Sequence, residues 1–136
     1  MWERFTAFPR EDFDADLLAL ITEVHSAHSN GLERLTIMGI RSVIELIMIE
    51  KVGDHKTFWK NLDEFNKKGY ISTIEYDILR SVIDVGNEVT HENKLPQPEG
   101  VIVAIDIMEH LIAAIYIHPY HAKTYIPPDE KVRRKT

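Results

Sequence analysis

Leu32 to Val52 reads LERLTIMGIRSVIELIMIEKV, and this stretch decides the fold. Leu32, Leu35, Ile37, Met38, Ile40, Val43, Ile44, Leu46, Ile47, Met48 and Ile49 cover most of the circumference of a helix with 3.6 residues per turn. A helix that is apolar nearly all round belongs at the centre of a bundle. Asn30 before it and Glu33 three residues on predict a capping box at its start. Gly53 predicts its end, because glycine readily takes the left-handed conformation that terminates helices.

The flanking segments repeat the helical period. A first helix is predicted from about Asp12 to His28, with Phe13, Leu17, Leu20, Ile21 and Val24 on one stripe. A third is predicted from about Thr57 to Lys67, with Phe58, Leu62 and Phe65 inward and Gly69 as its stop. Ser72 and Glu75 form a capping box for a fourth, from about Thr73 to His91, with Ile74, Ile78, Val82, Val85 and Val89 on the expected core face. Pro98 suits the first turn of a fifth helix, which is predicted to run to Ile117 and to stop before Pro119. On that helix Val101, Ile105, Met108, Ile112 and Ile115 form one apolar side, and Val103, Ile107 and Ala114 a second that is left for a partner. The expected architecture is all-α: a five-helix, up-and-down-like bundle with short connections.

The 136 residues suit one domain, placed at residues 1–122, with a basic, flexible tail at 123–136. The net charge of -6 is unevenly spread. From Lys123 onward there are five basic and two acidic residues, against 11 basic and 20 acidic before it. An acidic body attracts phosphate backbones poorly. The tail, Lys131 to Lys135 above all, can reach nucleic acid or an acidic partner, or end as a solvated terminus. With no cysteine there are no disulfides and no thiolate chemistry. Met1 to Arg4 does not open a secretory leader, and Asp106, Glu109 and His110 interrupt the longest apolar run. These features point to a cytoplasmic protein with no membrane role.

Two polar stripes need explaining on this apolar scaffold. Arg34, Arg41 and Glu45 fall within roughly 40° of one another on the second helix, with Arg41 and Glu45 placed as an i,i+4 pair. Arg80, Asp84, Asn87 and His91 fall within roughly 60° on the fourth, with Arg80–Asp84 and Asn87–His91 at the same spacing. Mid-helix Gly86 beside them marks a close approach to the backbone. Each stripe reads as a surface stripe or internal brace, or as a site; on the fourth helix Asn87 can orient His91 as a general base or acid. Arg34, Glu45, Arg80 and Asp84 are then binding residues. His25 with His28, and His118 with His121, have two-ligand spacings but no third ligand, so neither a metal nor another cofactor is expected.

The run Arg41-Ser42-Val43-Ile44-Glu45, the Lys60-Asn61-Leu62 region, the Gly69-Tyr70-Ile71 turn and Gly86-Asn87-Glu88-Val89-Thr90-His91 resemble, in their order and separation, the family called domain-of-unknown-function 4145. That family resembles a branch of the HEPN superfamily. The resemblance implies a helical bundle, often dimeric and often found with toxin–antitoxin, restriction and phage-defence systems. Active members of the superfamily resemble metal-independent RNases that use an Arg followed four to six residues later by a His, paired across a dimer. Here His91 matches the His and Asn87 the polar residue after the Arg, but Gly86 stands where the Arg belongs. Arg80 is eleven residues from His91, about 16 Å along a helix, and cannot replace it from there. The resemblance therefore implies a non-catalytic, homodimeric module that engages a protein or RNA. The alternative is an RNase in which Arg41 or Arg34 serves His91 from another helix.

Overall fold

The computed structural model describes residues 14–91 and 96–126, apart from the side chains of residues 82, 85, 86 and 88–91. The described residues form helices and no strand: α1 (Ala15–Ser29), α2 (Glu33–Val52), α3 (Phe58–Lys67), α4 (Thr73–His91) and α5 (Pro98–Ile112). A π-helical turn, Ala113–Ile117, joins α5 to α6 (His118–Tyr125). The all-α expectation holds.

Helix α2 is the hub. It packs against α1, α3, α4 and α5, and Ile37, Ile40, Val43, Ile44, Ile47 and Met48 are fully or almost fully buried along it. Thr36 is the one buried polar residue on this helix, and its hydroxyl donates to the Leu32 carbonyl (2.8 Å), so no donor is stranded in the core. Gly39 sets the distance to α1. A Cβ there would lie 2.6 Å from Cγ2 of Val24, so the two helices meet where a side chain has been dispensed with.

The turns follow local chemistry, with one correction. Asn30 closes α1 instead of opening α2: its backbone N–H and its side-chain amide both donate to the Ser26 carbonyl, at 3.1 and 2.8 Å. The unsatisfied carbonyl at the end of α1 has claimed the donor, and α2 starts at Glu33 with no side-chain cap. Gly53 ends α2 at φ 80°, and Thr57 caps α3 by accepting from the Lys60 amide. The Ser72–Glu75 box forms in both directions, at 3.1 and 3.0 Å. Buried Asn61 accepts from the His55 amide (2.7 Å) and ties the loop before α3 to the helix it precedes.

Two further expectations are corrected. The core face of α4 is Leu79 and Ile83, both fully buried, whereas Ile74 and Ile78 of the longer Ile/Val stripe are exposed. The Leu79–Ile83 line that faces the core lies about a third of a turn from Ile74 and Ile78, while the side chains of Val82, Val85 and Val89 lie outside the described residues. Nor does Pro119 stop the last helix. The N–H of His118 reaches back five residues to the Ala113 carbonyl. This wider turn loosens the backbone just ahead of a ring that would clash with an ordinary helical carbonyl. The helix then continues to Tyr125, so the boundary expected after residue 122 falls within α6, while residues 127–136 lie outside the described residues.

Residues 98–125 make one helical run of 28 residues, with mean hydropathy 1.9 in its most apolar window. By length and composition alone it could cross a membrane, but half of that window is buried inside the protein. Its inward side, Val101, Ala104, Ile105, Met108, Leu111 and Ile112, supplies one wall of the core.

Candidate functional site

One arginine from each polar stripe reaches the first turn of α3. The Arg41 guanidinium lies over the Phe58 ring, 5.3 Å from its centre, and the Arg80 guanidinium over the Trp59 ring at 4.9 Å. Phe58 and Trp59 meet edge to face, with centres 6.4 Å apart. Arg80 also lies 5.8 Å from the Tyr76 ring, and the Tyr76 hydroxyl donates to Asp63 Oδ1 (2.7 Å). That bond to an anion pushes the Tyr76 phenol above its usual range. The Thr57 cap fixes the start of α3, so two neighbouring rings present themselves to cations from helices on either side.

These contacts correct the local pairs. Among the described residues, Arg41 forms no ion pair with Glu45 and Arg80 none with Asp84; each arginine is drawn to an aromatic face instead. A guanidinium over a ring gains about 0.5–2 kcal/mol according to its burial, more than an exposed i,i+4 pair in the weaker Arg-before-Glu order. Arg41 Nε is buried with no hydrogen-bond partner. Glu45 and Asn87 are half-buried, while Arg34 and Asp84 are exposed. His91 closes α4, and its side chain lies outside the described residues. The structure therefore brings Arg41 and Arg80 to one aromatic pair and leaves Arg34, Glu45, Asp84 and Asn87 out of it.

A second feature lies between α4 and α5. A groove of about 250 Å³ is lined by Glu75, Ile78, Leu79, Val103, Asp106 and Ile107, with His110 and Leu111 at one end. It adjoins another hollow of about 310 Å³ that shares Ile78 and Val103 and extends to Ser81, Glu99 and Gly100. Of its lining residues Ile78 is 39% exposed and Val103 51%; Ile74 and Ile102 are exposed elsewhere on the same two helices. Glu75 Oε2 lies 3.2 Å from His110 Nε2 and spans the groove. Burial pushes the Glu75 carboxyl up, but hydrogen bonds from Ser72 and the contact with His110 hold it below the usual range.

Sequence reasoning found one wall of this groove through the Val103–Ile107 line and missed the other, because it assigned Ile74 and Ile78 to the core. It also missed Phe58, Trp59, Tyr76 and Asp63 as the groups that surround the arginines. No spacing within a helix reports a ring supplied by another helix.

Other polar groups serve the scaffold. His25 Nε2 lies 3.5 Å from Glu109 Oε1 and joins α1 to α5. The Tyr116 hydroxyl donates to Glu50 Oε2 (2.7 Å) while Lys51 lies over its ring, joining the π-helical turn to the end of α2. Burial and that bond raise the Tyr116 phenol far above its ordinary value. The His121 ring meets those of Tyr120 and Tyr125. Among the described residues no three His, Cys, Asp or Glu side chains are grouped to hold a metal.

Among the described residues these features define an all-α domain organised on a central helix, with a cation–aromatic cluster and an apolar groove between two helices. The chain belongs to the family described as Domain of unknown function (DUF4145), whose model matches residues 22–133. No curated protein and no solved structure matches it.

Proposed function

We propose that this chain is a non-catalytic, HEPN-like interaction module of the cytoplasm, homodimeric, that engages a protein or RNA partner of the kind found in defence systems. The observation that carries the interaction reading is the apolar groove between α4 and α5, with Ile78 and Val103 exposed in its lining and Ile74 and Ile102 exposed elsewhere on the same two helices. Burying such a face returns roughly 25 cal/mol for each Å² removed from water, and neighbouring exposed apolar residues of this kind mark binding surfaces. A second exposed strip, Leu35, Met38 and Leu46 on α2, is bordered by Arg34 and Glu45, which carry both signs of charge. It is the face that suits a homodimer.

A photo-crosslinking residue placed at position 103 tests the interaction reading in cells. The expected result is a discrete adduct, absent when the probe sits at position 54 on the loop before α3. Equal labelling at both positions, or none, removes the reading. Sedimentation velocity across the micromolar range tests the dimer, and a strictly monomeric chain removes that part.

One observation favours the RNase reading as a second. Arg41 has no carboxylate partner among the described residues, and its Nε is buried without a hydrogen bond. A guanidinium that no carboxylate neutralises is what steadying a phosphate requires. In that mechanism His91 activates the ribose 2′-OH, Asn87 orients the ring and Arg41 faces the phosphate. Cleavage of structured or single-stranded RNA that is lost in His91→Ala would establish it. Cleavage that is absent, or that does not depend on His91, leaves the binding role alone.

A further inference from the structure

We infer that the α4/α5 groove receives a basic amphipathic helix from a partner protein; the inference rests on the interaction reading and gives its partner a chemistry. Three observations carry it. The first is charge. The groove and its extension are bordered by Asp106 and Glu99, and by Glu75, which contacts His110 at one end, with exposed Asp77 on the neighbouring turn of α4. Of the chain's Lys and Arg residues, α5 carries none. Helix α4 carries only Arg80, which is held over Trp59. An apolar floor with an acidic border selects an apolar stripe flanked by Lys or Arg.

The second observation is length. The two hollows share Ile78 and Val103 and extend along α5 from Glu99 to Leu111, about 18 Å of helix axis. Three turns of a docked helix cover that span, with anchors at i, i+3 or i+4, and i+7. The third is the nature of the walls. Both are helices, whose backbone groups are bonded internally, so there is no free edge for an extended strand to pair with. A helix brings its own backbone bonds satisfied.

The same features disfavour other occupants. Phosphate backbones are repelled by the acidic border. The chain's own basic residues Lys131 to Lys135 include only Val132 to set on an apolar floor. Two copies meeting groove to groove would bring like charges together.

The test uses the full chain and two labelled synthetic helices followed by fluorescence anisotropy. One is an amphipathic leucine–lysine peptide; in the other every lysine is glutamate. A scrambled leucine–lysine peptide, without an apolar stripe, controls for bulk charge. The lysine helix is expected to bind saturably, at least about tenfold more tightly than either control. The paired substitutions Ile78→Ser and Val103→Ser, both at exposed positions, should weaken it by about tenfold or more with the helical circular dichroism unchanged. Glu99→Lys with Asp106→Lys should switch the preference to the glutamate helix. Binding that ignores both sets of substitutions, equal binding of the scrambled peptide, or no binding overturns the inference. If position 103 still crosslinks to a partner or a second copy in that case, the interaction reading stands and only the basic helix fails. If it does not crosslink, both fail.

Discussion

His25 Nε2 and Glu109 Oε1 lie 3.5 Å apart and place two ionisable groups between α1 and α5. Burial, and then the nearby His28, hold His25 below its ordinary value, while burial lifts Glu109 above its own. Each shift favours the uncharged form in the folded chain.

The consequence for stability has a definite sign. His25, with its folded value depressed, contributes fully above its unfolded value near 6.5 and costs stability as pH falls below it. Glu109, with its folded value raised, contributes fully below its unfolded value near 4.5 and loses that contribution as pH rises through the folded one. Urea unfolding should therefore show the wild type losing stability relative to His25→Gln as pH is lowered from about 7.5 to about 5.5. Glu109→Gln should gain relative to the wild type as pH is raised from about 4 to about 6. Parallel pH profiles would mean that the pair is more fully solvated than its geometry indicates.

The close approach of α1 and α2 gives a second prediction. In Gly39→Ala a new methyl would lie 2.6 Å from Val24 Cγ2, in a buried and stiff side chain. Alanine is favoured over glycine in a helix by about 1 kcal/mol, but overpacking costs about 1–3 kcal/mol. The net expectation is a loss of about 1 kcal/mol in the urea midpoint analysis. Adding Val24→Ala should remove the clash, and the double-mutant cycle should show favourable coupling. A stabilised Gly39→Ala single variant would show that the helices can separate freely.

Much of this arrangement was legible because it is local. The Ser72–Glu75 box and Gly53 act over a few residues, and the apolar circumference of α2 declares its central place, although Leu35, Met38 and Leu46 of that circumference stay exposed and correct the expectation of burial all round. Where two local solutions competed, spacing could not choose: Asn30 had a carbonyl behind it and an amide ahead, and it took the carbonyl. The orientation of α4 was not legible, because Ile74 with Ile78 and Leu79 with Ile83 have the same i,i+4 spacing. Tertiary packing turns Leu79 and Ile83 inward. The cluster at α3 was hidden for the same reason. Arg41 and Glu45 satisfy an i,i+4 rule, yet the ring that holds Arg41 comes from another helix.

At the π-helical turn, Tyr116→Phe removes the hydroxyl that donates to Glu50 and keeps the ring beneath Lys51. Because Glu50 is partly solvated, the expected loss is about 1 kcal/mol. In a Glu50→Gln background the loss should shrink, since the acceptor no longer carries a charge. Thermal unfolding of the four combinations checks this. An unchanged cost in that background would place the role of the hydroxyl elsewhere.

The rotation of α4 decides which face of the protein is free to bind, and paired truncations measure it. Leu79 is fully buried and Ile74 is 73% exposed, although both are large aliphatic residues on one helix. With Leu79 facing the core, Leu79→Ala opens a cavity and costs about 2–5 kcal/mol. Ile74→Ala removes atoms already in water and improves helix propensity, so its effect should stay within about 0.5 kcal/mol. Denaturant unfolding of the two variants separates the arrangements. Comparable losses, or the larger one at Ile74, would turn the Ile/Val stripe inward, close the groove, and leave the acidic border without an apolar floor to guard.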